Sequence, residues 1–323
     1  MITEMCLVKQ LHYDFSFVIS VTIDEQMSMS MCCIDDISLV CLRANITTEE
    51  SFQLPTRAGA IEVRGLAYLD GRIYILQAAR RSISIYRPED MCWQQDEISS
   101  SKFHKPQDIA ACYLRHVLYV LDQSCIWQVK MDDNISVYVR LSQVSATMSI
   151  TKSFPMVISS KGVQKCRYSH DSWSIPKLTV SSFRLPVGLT ETKPWHAVKV
   201  HNWHVVAHVE AAKYHRISKI IESSRPDRSQ VEVSTYGGEV GDGEDQLNNP
   251  VYLAVEPKYG HIFVADHDNS RVVVLDGNLE RVLTIGLPTG CYPSRLCYVE
   301  ERNVLLVGMS NGLVVGYKVE NGT

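Results

Sequence analysis

The sequence predicts an all-β fold: a β-propeller of six or seven blades, with the ring closed by an N-terminal strand. Three observations lead there. Short β-type runs bounded by Gly, Pro, Asn and Asp recur along the 323 residues. The second run of each unit starts near Ile73, Leu118, Met156, His204, Ile262 and Val304, at intervals of 38 to 58 residues. No amphipathic helical stretch of useful length competes. A repeat of about 40–50 residues holding three or four short strands is a propeller signature. One such sheet cannot bury both of its faces alone, and stacking blades around an axis buries them.

The elements follow in chain order. Phe15–Ile23 is a lone apolar β-type run, assigned to pair with the last unit and close the ring. Residues 28–60 read as a degenerate blade, with a hairpin from Met29 to Leu42 and Ser51–Leu54 closing it. The blade at 64–100 turns at Asp70-Gly71, a strong two-residue hairpin signal. Its third run, Ser82-Ile83-Ser84-Ile85-Tyr86, alternates as a half-buried strand does. Further blades are expected at 105–140, 146–183, 194–235, 249–287 and 293–319. The blade at 146–183 is degenerate, and a polar stretch from Glu222 to Gln230 interrupts the one at 194–235. All are assigned to one domain spanning 1–323.

The sharpest copy is Asn249-Pro250-Val251-Tyr252-Leu253-Ala254-Val255, a turn through Pro257 and Gly260, then His261 to Asp266. A turn at Asp268-Asn269 leads to Arg271-Val272-Val273-Val274-Leu275, and Asp276-Gly277 is assigned to end the unit. Tyr236-Gly237-Gly238 precedes this copy and Ile285-Gly286 follows it. Over residues 236–287 the pattern resembles an NHL repeat. The resemblance implies a propeller of six blades by its usual length. It also implies kinship with the substrate-recognition propellers of tripartite-motif ubiquitin ligases, RNA-binding translational regulators, an amidating lyase or bacterial sensor domains. The zinc-binding RING and B-box modules of the first group have no counterpart here, because no C-x-x-C pair occurs.

Composition narrows the classes. The formal net charge is −4, with no basic signature for the whole chain. Glu4, Lys9 and His12 interrupt any signal-like apolar segment, and Phe15–Ile23 is far short of the ~20 residues of a membrane helix. A soluble, cytoplasmic protein without membrane contact is expected. The ten dilute cysteines then read as reduced and structural.

Each candidate site is weighed against a structural reading. Asp266 is expected to accept hydrogen bonds from the turn, Asn269 to tolerate left-handed geometry, Arg271 to brace the blade and Gly260 to make the preceding turn. These four identify a blade rather than a function. Arg80 and Arg81, with Arg64, Arg72 and Arg87, make one unit locally basic. Lys213, His215, Arg216 and Lys219 make a second such region, and Tyr86, Trp195, Trp203 and Tyr214 lie near in sequence. Arginines beside stacking aromatics suit single-stranded RNA, but because the whole chain is acidic a solvated surface is the favoured reading. Five histidines crowd residues 196–215: His196, His201, His204, His208 and His215. His204 and His208 lie about 13 Å apart along a strand at ~3.3 Å per residue, too far for one zinc ion. No cofactor, metal or catalytic set is expected. The reading is a binding scaffold for a protein partner, with substrate recognition for ubiquitination as one form of it. RNA binding is the second reading, and a metal-dependent lyase or hydrolase the third.

Overall fold

In a computed structural model the described residues are 46–53 and 62–319. Within these, short stretches at 78–79, 89–91, 94–96, 124, 131–134, 142–146, 152–153, 160–161, 170–176, 184–191, 201–202 and 223–229 lie outside the description. β1 (Ile46–Gln53) comes first and stands apart from the strands that follow it. The first blade holds β2 (Val63–Leu69), β3 (Arg72–Gln77) and β4 (Ser82–Arg87), with β5 (Cys92–Trp93) and β6 (Ile98–Ser99) both paired to β4. The second holds β7 (Pro106–Cys112), β8 (Val117–Asp122), β9 (Cys125–Lys130) and β10 (Ile135–Arg140). The third holds β11 (Thr147–Thr151), β12 (Phe154–Ser159), β13 (Gly162–Ser169) and β14 (Lys177–Phe183). The fourth holds β15 (Thr192–Val200), β16 (Trp203–Glu210), β17 (Tyr214–Glu222) and β18 (Gln230–Glu239). The fifth holds β19 (Pro250–Val255), β20 (Ile262–Asp266), β21 (Arg271–Leu275) and β22 (Arg281–Gly286). The sixth holds β23 (Pro293–Val299), β24 (Val304–Met309) and β25 (Leu313–Val319), and β1 completes it.

Six antiparallel sheets result, and their first strands line the axis. β2 packs against β7, β7 against β11, β11 against β15, β15 against β19, β19 against β23, and β23 against β2. The core is distributed between blades. One cluster joins Phe263, Val272 and Val274 to Leu305 and Val307, and another joins Ile262, Val264 and Val273 to Val205 and Ile217. Alternate residues of one strand therefore face opposite neighbours. This explains why Val272-Val273-Val274-Leu275 is apolar throughout: a blade strand has no solvent face. It also corrects the half-buried reading of Ser82–Tyr86. Ser84 is buried, and its hydroxyl donates to Glu97 Oε1 at 3.1 Å.

Two further expectations change. β1 pairs antiparallel with β25 over Ile46↔Val319 to Gln53↔Leu313. β25 is bonded to β24 on its other side, so both of its ladders are taken and Phe15–Ile23 has no edge to join there. Closure by a strand from the N-terminal side holds, with a different strand. Residues 51–53 accordingly close the last blade rather than a blade of their own, while Phe15–Ile23 and Met29–Leu42 lie outside the described residues. Asp276-Gly277 does not end the fifth unit. Asp276 Oδ1 accepts from the N–H groups of Asn278 and Glu280, both at 2.8 Å, and the chain returns as β22.

Strand alternation defines two faces. Turns after the first and third strands of each blade lie on one, called face A here. Turns after the second strands, and the links between blades, lie on the other, face B. The Asp70-Gly71 hairpin is on face A, with φ of 50° and 76° as a primed turn requires.

The shared last sheet yields a direct expectation. Removing residues 46–53 strips β25 of its outer ladder and opens an edge. The melting temperature should fall by about 10 °C or more, with association through the exposed edge. Scanning calorimetry and light scattering measure both, and an unchanged transition would refute closure by β1.

Candidate functional site

Five of the six first strands begin with the same device. In β2, β7, β19 and β23 the pairing register slips after the first residue, and in β15 after the third, as a β-bulge does. Three of them begin on proline, Pro106, Pro250 and Pro293, and Pro194 is the third residue of β15. Proline cannot donate to a ladder, so it suits the first residue of a strand. The bulge re-aims the residue two positions on, and these residues are Gly65, Asp108, His196, Tyr252 and Arg295. The last four meet on the axis.

Their contacts involve every blade. Asp108 accepts from the N–H of Ile109 at 2.9 Å and from that of Met148 at 2.8 Å. The Tyr252 hydroxyl donates to Asp108 Oδ2 at 3.2 Å. Arg295 Nε lies 3.5 Å from Asp108 Oδ1. The same guanidinium donates to the carbonyls of Arg64, Ser294 and Gln107, and sits 5.0 Å over the Tyr252 ring. His196 stacks on Tyr252 with ring centroids 3.7 Å apart. Its Nδ1 accepts from the Leu253 N–H at 3.2 Å, so its proton is on Nε2, which faces the Met148 carbonyl at 3.4 Å. Gly65 leaves the space this requires. A Cβ there would lie 2.8 Å from the Ile109 nitrogen.

Burial sets the protonation states. It pushes the Asp108 carboxyl up to about 6, against the lowering effect of Arg295 and the bonds from Met148, Ile109 and Tyr252. It pushes His196 down to about 3, with Arg295 acting in the same direction. It holds the Tyr252 phenol well above its ordinary value. His196 is therefore neutral at physiological pH with both nitrogens engaged, a poor metal ligand. Above this network a cavity of about 210 Å³ runs towards face A between the first strands, walled by Ile109, Ala254 and Leu296 and reaching Tyr113 and Tyr298.

The other histidines do not converge. His208 Nε2 pairs with Ser218 Oγ at 2.7 Å, His215 Nδ1 accepts from the Asn249 N–H at 2.9 Å, and His204 is buried within β16. His201 lies outside the described residues. Among the described residues no group of three or more metal-ligating side chains occurs.

The sequence-derived basic regions are separated. Arg80 and Arg81 sit in the β3–β4 turn of the first blade, on face B. Lys213, Tyr214 and Arg216 sit at the β16–β17 turn of the fourth, also on face B and opposite in a ring of six sheets. Trp195 is the bulge residue near the face B end of β15, whereas Trp203 begins β16 on face A. The cations are largely engaged. Arg80 pairs with Glu97 at 3.2 Å, Lys213 with Glu239 at 2.9 Å and Arg216 with Glu210 at 3.4 Å. Lys193 Nζ covers the Trp195 ring at 4.5 Å, Lys219 Nζ covers Trp203 at 4.2 Å, and the Arg216 guanidinium covers Tyr214 at 4.7 Å.

The NHL-like turn is a clamp. Asp266 accepts from the Asn248 N–H, Asn269 Nδ2 and Arg271 Nε at 2.7, 2.8 and 2.7 Å. Arg271 also donates to the carbonyls of Asp242, Gly243 and Gln246. Asp122 repeats the arrangement in the second blade, accepting from the N–H groups of His104 and Lys105 at 2.7 Å each. Burial works against the Asp122 carboxylate, but bonds from His104, Lys105, Gln123 and Trp127 outweigh it and hold its pKa low. In both blades the aspartate ties the end of the second strand to the segment leading into the first. Gly260 turns β19 into β20 with φ +80°.

Two expectations follow. Asp266→Ala leaves the Asn248 N–H and the Arg271 guanidinium without their carboxylate and should cost about 3 kcal/mol in denaturant titration. For Asp108 the folded-state pKa lies above the unfolded one, so its favourable contribution is complete below about 4 and is lost as pH rises through about 6. Wild-type stability should fall by up to about 3 kcal/mol relative to Asp108→Asn across that window. Parallel pH profiles for the two proteins would contradict this.

No family model matches the chain, and no curated protein matches it in sequence. Its fold is similar to several solved structures. A chain of Kuenenia stuttgartiensis hydrazine synthase aligns with TM-score 0.55 and 11% identity, over 81% of this chain and 97% of that one. The WD40 β-propeller domain of Doa1 aligns with TM-score 0.53 and 12% identity, over 84% and 97%. The β-propeller domain of Myceliophteria thermophila Cps50 (Swd1) aligns with TM-score 0.56 and 8% identity, over 84% and 100%. At such identities the likeness establishes the fold alone, an all-β propeller.

Proposed function

We propose that this propeller is a non-catalytic scaffold that binds a protein partner on face A. One observation carries the proposal: the apolar side chains that the turns of this face leave in solvent. The short helical turn Tyr113–Arg115 holds Leu114 at 75% exposure and Tyr113 at 42%, and the β19–β20 turn holds Tyr259 at 51%. Tyr113 lines the axial cavity, and Leu114 is its neighbour in the same turn. Aromatic and aliphatic groups presented from a rigid rim are suited to burial against a partner. The axial network supports a binding role over a catalytic one, since its histidine, tyrosine and arginine are fully engaged with one another and with backbone.

The NHL-like pattern at 236–287 is the finer part of this reading. It aligns the chain with propellers that select substrates for ubiquitination. RNA binding is less favoured. A single strand needs free cations and open aromatic faces, and here Trp195, Trp203 and Tyr214 are each covered by a cation of the protein itself.

Affinity capture with and without nuclease, read by mass spectrometry, tests the choice. The partner should be recovered equally after nuclease treatment. Leu114→Asp should reduce its recovery at least about tenfold while leaving the melting temperature unchanged, as expected for an exposed hot spot. Recovery that depends on RNA, or that ignores Leu114→Asp, would overturn the proposal.

A further inference from the structure

We propose that a hollow on face B, formed by Arg80, Arg81 and Ser99 to Ser101, binds a single phosphoryl group carried on a serine or threonine side chain of a protein partner. The hollow has a volume of about 410 Å³ and is completed by Ser82 and Glu97. It lies between the β3–β4 turn and β6, which pairs with β4 through Ser82↔Ser99 and Ile83↔Ile98.

Its polar groups divide into two sets. Glu97 is the one acid in the lining and is already committed. Its Oε1 accepts from Arg80 at 3.2 Å and from Ser84 at 3.1 Å, and its Oε2 from Ser82 at 2.7 Å. Those bonds fix Arg80 with part of its guanidinium still able to donate. Arg81 is different. It is exposed, and it makes no ion pair or hydrogen bond among the described residues. Ser99 and Ser101 are exposed beside it. The Ser100 hydroxyl accepts from the Lys102 N–H at 3.1 Å, which leaves its own proton to donate. An arginine fork and several hydroxyl protons therefore converge on one hollow around a neutralised carboxylate.

That donor set fits a phosphate monoester. The group carries close to two negative charges and three acceptor oxygens, and an arginine fork pairs with it bidentately. A partner carrying one such group is favoured over a nucleic acid backbone. Nucleic acids bind by engaging several phosphates in succession. Among the described residues of the same face Lys213, Arg216 and Arg271 are held by Glu239, Glu210 and Asp266, which leaves Lys102 and Lys105 of the adjoining link as the exposed lysines beside the hollow, and Lys102 Nζ donates to the Ile135 carbonyl at 2.7 Å. The site also lies away from Leu114 and Tyr259, so it stands independently of the docking reading for face A.

Fluorescence anisotropy of the full chain with a labelled peptide pool provides the test. The pool has a fixed central phosphoserine and degenerate flanks. Saturable binding is expected, absent for the same pool without phosphate, and competed by millimolar inorganic phosphate. Arg81→Ala should weaken it at least about tenfold, the scale of one charge-assisted bidentate contact. Ser99→Ala combined with Ser101→Ala should weaken it less, and provides the same readout should Arg81→Ala fail to fold. Equal binding of both pools, or an affinity unaffected by either variant, would overturn the proposal. So would saturable binding of inorganic phosphate that no phosphopeptide reproduces, or tighter binding of oligouridine at physiological salt.

Discussion

A hydrogen-bonded plug on the axis holds the ring together. Asp108 stands at its centre and Arg295 beside it, and the groups they bond come from five of the six sheets, while His196 of the remaining one stacks on Tyr252. Each partner satisfies what another would leave unpaired. The carboxylate needs the two N–H groups and the guanidinium. The guanidinium in turn needs the carbonyls of Arg64, Ser294 and Gln107. A buried network of this kind is costly when incomplete, and that cost selects one arrangement of blades. Apolar packing between blades tolerates some sliding, whereas these bonds require one register.

The plug also defines what the channel can do. It engages the polar side chains that the first strands bring together on the axis, and the cavity above it is lined by aliphatic side chains of those strands together with Ser149, Lys199 and Tyr298. Neutral His196 spends both of its nitrogens on backbone groups. The surfaces left for recognition are the turns. Face A offers apolar and aromatic groups near the axis. Face B offers cations, most of them tied to a carboxylate of the same blade.

Much of the architecture was legible in the chain. Runs such as Val272–Leu275 and the Asp70-Gly71 turn specify strands and hairpins through local chemistry, and their recurrence specifies a stack of small sheets. Asp266 and Arg271 were readable as the braces of a turn for the same reason, whereas the left-handed position expected at Asn269 falls on Ser270, with φ 51°, and Asn269 instead donates to Asp266. Closure was legible in kind and not in detail. An N-terminal strand was required, but the apolar β-type run Phe15–Ile23 was the candidate in sequence, and it is Ile46–Gln53 that pairs with β25. The site was mostly illegible. Arg80 and Lys213 look alike as basic clusters in sequence, yet they lie on opposite sides of the ring. The axial residues left one trace, a proline two positions before Asp108, His196, Tyr252 and Arg295. That spacing acquires meaning only once a bulge is known to follow each proline.

The sequence by itself therefore determined the blade: strand, turn and the clamp that ties one strand to the next are set by contacts within a few dozen residues. Only the tertiary structure decided the ring. Which strand completes the last sheet and which side chains meet on the axis depend on contacts between distant parts of the chain, such as Ile46 with Val319 and Val63 with Ser294. Such contacts leave no local pattern, because neither partner carries a signal of its own until the other is brought within hydrogen-bonding distance.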